Sequence, residues 1–154
     1  MINRMALAVL ALIGILIAAY MSAYKFGFIG SIACGDGGCN VVQNSPWANF
    51  AGVPVPLIGL AGYTAMFATV MVGLQPRYED DRRISAVLLA GATIGLIFSA
   101  YLTYLEAAVI HAWCRWCIAS AVLATLIFLG ALPEIPRLRA RSEAGEREGA
   151  ITSS

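Results

Sequence analysis

MALAVLALIGILIAAYMSAY, residues 5–24, runs for twenty residues without a charge. A helix rises ~1.5 Å per residue, so this run crosses a hydrocarbon core about 30 Å thick. No water in such a core can satisfy backbone N–H and C=O groups, so the run must be helical. Three further apolar runs follow, at about 57–74, 84–105 and 113–132. Pro133 and Pro136 stop the last of them. The whole chain is 60% hydrophobic and 12% charged, against about 25% charged in soluble domains. Its mean hydropathy is +0.78. The expected fold is an all-α integral membrane protein, a four-transmembrane-helix bundle over residues 1–132. The small residues at 19–23 resemble a signal-peptide cleavage site, but the run exceeds the usual ~7–15-residue signal core. It is read as a retained helix.

The net charge is +1 and no basic stripe is present, so nothing points to nucleic acid as a partner. The basic residues are segregated instead. Arg4 precedes the first span, Arg77, Arg82 and Arg83 lie between the second and third, and Arg137, Arg139, Arg141 and Arg147 follow the fourth. Only Lys25 and Arg115 fall on the opposite side. Positive residues mark the cytoplasmic face, so both termini are expected there, with 25–56 and 106–113 outside. Residues 133–154 read as a charged, disordered cytoplasmic tail. The mixed-charge stretch 75–83 reads as a solvated connector. Gly91 and Gly95, four apart in the third span, suit close helix packing within the bundle rather than dimerisation.

The four cysteines form two close pairs, Cys34 with Cys39 and Cys114 with Cys117. The topology puts all four on the outer side. Cys114-Arg115-Trp116-Cys117 opens the fourth span. Spacing i to i+3 sets both sulfurs on one helical face within disulfide reach. A helix N-terminus and Arg115 both favour thiolate, the species that exchanges disulfides. Cys117 lies deeper than Cys114, which suits it to meet a lipid-soluble oxidant such as a quinone. A purely structural disulfide and half of a zinc site remain as alternatives for the motif; an outer, membrane-lip position argues against zinc. Three glycines within Cys34–GDGG–Cys39 permit positive φ and a pliable loop. That pair reads either as a moving disulfide relay or as a static staple, and an oxidising compartment suits both.

Between the loop and the second span, Ser45 is placed to cap a short interfacial helix with Pro46 at its first position. Trp47, Ala48, Phe50 and Ala51 give it an apolar face, Gly52 ends it, and Pro54 and Pro56 extend the chain into the second span. That helix is read as an interfacial anchor or as a lid over Cys117. Tyr101, Tyr104 and Trp113 line an aromatic pocket or form an interfacial belt. Glu106 and His111 fall in the outer turn. His111, the only histidine, is a solvated bystander or a group that moves protons to a reduced quinone.

These residues carry a resemblance. Cys34-GDGG-Cys39-Asn40-Val41-Val42, Ser45-Pro46-Trp47-Ala48, Gly52-Val53-Pro54, Leu57-Ile58-Gly59, Tyr63 and Cys114-Arg115-Trp116-Cys117-Ile118-Ala119-Ser120 resemble the bacterial vitamin K epoxide reductase homologues over roughly residues 5–132. The resemblance implies a four-helix bundle around a quinone, ubiquinone or menaquinone, with no metal. It implies that Cys34 and Cys39 are the shuttle pair and Cys114 and Cys117 the active-site pair. Cys39 would exchange with Cys114, and Cys117 would contact the quinone. Ser45 matches the family's serine or threonine near the active site. Ser45, Trp47, Phe50 and Tyr101 are the further candidates for the quinone pocket.

The implied enzyme is a membrane thiol–disulfide oxidoreductase of the bacterial inner membrane. It would reoxidise a thioredoxin-like or DsbA-like partner that places disulfides in exported proteins. Many bacterial members carry a fused thioredoxin-like domain; here the tail leaves no room for one, so a separate partner is expected. Vertebrate relatives usually have tyrosine four positions after the second active-site cysteine, where this chain has Ala121, so a quinone is expected rather than vitamin K epoxide. A DsbB-type reductase would do the same chemistry, but its CxxC pair precedes the other pair along the chain. A non-enzymatic membrane protein with two stapling disulfides is the alternative of a different class.

Overall fold

The computed structural model describes residues 2–35, 37–78 and 81–136. Four long helices form the bundle: α1 (Ile2–Lys25), α3 (Val55–Gly73), α4 (Arg82–Tyr104) and α5 (Arg115–Ala131), with the short α2 (Gly38–Asn44) between the first two. Each long helix, with its flanking turns, is long and apolar enough to cross a membrane. Helix α1 packs on α3 and α5, and α4 packs on the same two, so the four close into a ring. Leu16, Ile94 and Ile97 remain more than 60% exposed on its outside. Exposed apolar surface on this scale is what a lipid-facing bundle presents. The chain is a multi-pass membrane protein.

One end of the bundle is packed by Leu7, Ala8, Val70, Leu88, Ala92, Ile127 and Ala131. Gly91 lets Met66 of α3 approach α4. At this arginine end lies a buried charge network. Arg4 is 3% exposed and Glu134 2%. The guanidinium donates to both Glu134 carboxylate oxygens, at 3.1 and 3.0 Å, and to the Gly73 carbonyl at 2.5 Å. Ser85 Oγ donates to the same carboxylate at 2.5 Å. The network joins α1, α3, α4 and the turn after α5. The expected tail therefore differs at its start, because the chain stays packed through Glu134 to satisfy Arg4. The remainder of the tail, 137–154, lies outside the described residues.

Two further expectations are corrected at the opposite end. The third span does not stop at 105; it continues as a π-helical turn, Leu105–Ile110. Glu106-Ala107-Ala108-Val109-Ile110 contains no helix breaker, and the turn ends where His111 takes a left-handed φ of 55°. The expected short helix from Pro46 through Ala51 is split. Pro46–Ala48 is one 3-10 turn, and Asn49–Phe50 (β1) pairs with Val53–Pro54 (β2) as a minimal antiparallel hairpin. Ala51 and Gly52 have φ of 52° and 83°, and two consecutive positive φ values are what a type I′ hairpin turn requires. Ser45 sits at the N-cap as expected, but its side chain makes no cap bond. Its Oγ donates instead to the Val42 carbonyl at 2.7 Å, closing α2.

Candidate active site

The second core of the protein is built around sulfur. Cys34, Cys39 and Cys114 are buried together with Met21, Ile32 and Val42, and Cys117 packs against them. Cys39 comes from the first turn of α2, Cys114 is the N-cap of α5, and Cys117 lies in its first turn. Cys34 and Cys39 are joined in a disulfide, while Cys114 and Cys117 are free thiols. The Sγ atoms of Cys39 and Cys114 stand 3.4 Å apart, and both residues are fully buried.

Local packing fixes this contact. Gly37 adopts a φ of 70° just before α2. A side chain on the following Gly38 would run into the Trp113 carbonyl, so only glycine lets α2 lie this close to the chain leading into α5. The Tyr24 hydroxyl donates to Asn40 Oδ1, and Lys25 Nζ donates to the Gln43 carbonyl at 2.6 Å. These bonds clamp α2 to the end of α1. Trp116 Nε1 donates to the Ala33 carbonyl at 3.2 Å, and the Ala33 N–H donates to the Tyr20 hydroxyl at 3.0 Å. The pliable loop read from the glycines is thus docked on the bundle. Its glycines serve positive φ and close approach, and Cys39 already touches Cys114.

Cys114 Sγ is held by the Cys117 thiol and by the Cys117 and Trp116 N–H groups, with the Glu106 carboxylate beside it.

Glu106 is the site residue that sequence reasoning placed but did not single out. Expected in the outer turn, it is 3% exposed. Its Oε2 accepts from the Cys114 N–H at 3.1 Å, and its carboxylate contacts the Cys117 thiol. A carboxylate oxygen of Glu106 and the Sγ atoms of Cys114 and Cys117 all lie within 4.8 Å of one another. The missed signal was the unbroken helical pattern through 105–110, which carries Glu106 into the bundle. His111 is exposed, its ring nitrogen 3.3 Å from the Val109 carbonyl.

The quinone-pocket candidates are only partly brought together. Phe50 at the hairpin tip packs edge-on against Phe98 and Tyr101 of α4, at 5.7 and 6.4 Å between ring centroids. Phe50 and Tyr101 stay partly exposed, as does Trp47. Ser45 lies back at the end of α2. A cavity of about 310 Å³ lies between α4 and α5, lined by Thr103, Trp113, Ile118 and residues further along α5, with none of the four candidates in its wall. The Tyr63 hydroxyl of α3 lies 2.8 Å from Ser120 Oγ, three residues after Cys117.

A helical membrane bundle that brings two cysteine pairs into sulfur contact at one end is a membrane thiol–disulfide oxidoreductase. The chain belongs to the Vitamin K epoxide reductase family, whose model matches residues 5–132.

Proposed function

We propose that this protein carries electrons from a reduced thioredoxin-like or DsbA-like partner to a membrane quinone, and so supports disulfide formation in exported proteins. The charge bias supports placing the cysteine end outside and both termini in the cytoplasm of a bacterial inner-membrane protein. The observation that carries the reading is the 3.4 Å contact between Cys39 and Cys114 Sγ. Two stapling disulfides would have no reason to bury sulfur against sulfur across 75 residues of sequence.

The chemistry is thiol–disulfide exchange. A partner dithiol reduces Cys34–Cys39 through a mixed disulfide and leaves as a disulfide. The Cys39 thiolate attacks Cys114 of the Cys114–Cys117 disulfide, the Cys39–Cys114 bond forms, and Cys117 leaves as thiolate. Cys34 then attacks Cys39 and frees Cys114. The products are a Cys34–Cys39 disulfide and a Cys114/Cys117 dithiol, the bonding pattern present in this structure. A quinone supplies the two-electron acceptor that returns the dithiol to disulfide. The partly exposed rings of Phe50 and Tyr101, and that of Trp47 in the turn before the hairpin, suit a flat apolar headgroup arriving from lipid. Ser45 offers a hydroxyl oxygen as acceptor, its proton being directed to Val42. The reading requires no metal.

Anaerobic mixing of the reduced protein with ubiquinone or menaquinone tests it. Quinol is expected in step with loss of the Cys114 and Cys117 thiols. Thiols that stay reduced, with no quinol from either compound, would contradict it.

A further inference from the structure

Closing a dithiol to a disulfide releases two electrons and two protons. The electrons have a destination in the acceptor proposed above; the protons need a carrier at a site where Cys117 is only half-buried but Cys114 and Glu106 are buried. Cys114 is fully buried, and the Cys117 thiol lies in the first turn of α5 within the bundle lip. The carboxylate of Glu106 reaches both residues. It arrives there on a π-helical turn, a distortion often found at functional sites because it re-aims one side chain out of helical register.

A bland role also exists. Glu106 Oε2 accepts from the Cys114 N–H at 3.1 Å, and a carboxylate at a helix start satisfies an orphan donor. An amide could do that equally well. What an amide could not do is take a proton from sulfur. A buried anion beside two sulfurs that must carry negative charge also opposes thiolate formation, an arrangement that works against the site unless the carboxylate accepts the thiol proton.

Resting on the quinone-reductase reading, we propose that Glu106 is the catalytic base of the active-site pair, taking the Cys117 proton as the Cys114–Cys117 bond closes. Cys114 enters as the thiolate set free when Cys34 closes on Cys39, and Cys117 enters as the thiol. The Cys117 proton passes to a Glu106 carboxylate oxygen, the Sγ–Sγ bond forms, and two electrons go to the quinone. Glu106 then gives its proton to the reduced acceptor and returns to carboxylate, and the second proton of the quinol comes from bulk water. The exposed His111, the sequence's candidate for this role, is not the group beside the thiols.

Infrared difference spectroscopy of the full-length protein tests the proposal without quinone. Oxidising the reduced protein with a thiol oxidant is expected to produce a carboxylic-acid C=O band that shifts in deuterium oxide. The band is expected to vanish in Glu106→Gln and to return at a shifted frequency in Glu106→Asp. Quinol formation is expected to fall about a hundredfold or more in Glu106→Gln, with partial recovery in Glu106→Asp. Glutamine keeps the acceptor for the Cys114 N–H, so a purely capping role predicts near-normal turnover in that variant. Lack of the band in the wild-type protein, its persistence in Glu106→Gln, or wild-type turnover by Glu106→Gln would each overturn the proposal. Failure of the wild-type protein to reduce any quinone would instead overturn the reading beneath it, with the infrared result standing apart.

Discussion

Cys117→Ser is expected to lower quinol formation by roughly a thousandfold or more, the scale on which an enzyme fails when its nucleophile is removed. Cys117 is the CxxC cysteine further along α5, beside the Glu106 carboxylate, whereas Cys114 faces the loop pair at 3.4 Å. The two thiols of one CxxC motif therefore have different neighbours. The same logic separates the two pairs. Cys34→Ala/Cys39→Ala protein, reduced beforehand with a small dithiol, is expected to make one equivalent of quinol and then fail to turn over with a protein partner. Anaerobic stopped-flow measurement of quinol resolves the two behaviours. Quinol formation by Cys117→Ser at the wild-type rate would show that another group faces the acceptor.

Glu134→Ala is expected to destabilise the bundle by about 3–5 kcal/mol, the usual cost of stranding one member of a buried ion pair. Arg4 is 3% exposed, and its guanidinium would be left with the Gly73 carbonyl and a longer bond, 3.4 Å, to Ser85 Oγ. Removing both charges as Arg4→Leu/Glu134→Leu is expected to cost less than the single change, because no buried charge is then unpaired. Unfolding in detergent, followed by helical circular dichroism, measures the difference. A loss under about 1 kcal/mol would mean that water reaches the pair and screens it as at a surface.

The fold was legible because lipid leaves so few choices. An uncharged run of twenty residues has to be a helix, and the arginine distribution follows the two ends of those helices. The four cysteines were legible as pairs from spacing alone, and the resemblance assigned them their roles. The parts that sequence misplaced are held by tertiary contacts. Helix α2 carries two valines and opens on the last of three loop glycines, which reads as loop, yet it forms because Tyr24 and Lys25 clamp it and Gly38 fits beneath Trp113. The stretch after Pro46 has the composition of a helical turn, but Ala51 takes a positive φ and makes a hairpin of it. Glu134 looked like part of a charged tail because nothing in its neighbours announces Arg4, 130 residues earlier. Glu106 was placed in the outer turn without a role for a similar reason: its partners are the backbone of Cys114 and the thiol of Cys117, neither of which local pattern reveals.

The claim on which the account depends is that Cys39 and Cys114 exchange. Cys34→Ala/Cys117→Ser leaves Cys39 and Cys114 as the only cysteines, without the two thiols that would resolve a bond between them, so a thiol oxidant should join the pair. Non-reducing peptide mapping by mass spectrometry reads the bond directly. The account predicts a Cys39–Cys114 cross-link as the dominant oxidised species. Free Cys39 and Cys114 thiols after oxidation, or a cross-link between separate molecules only, would contradict it.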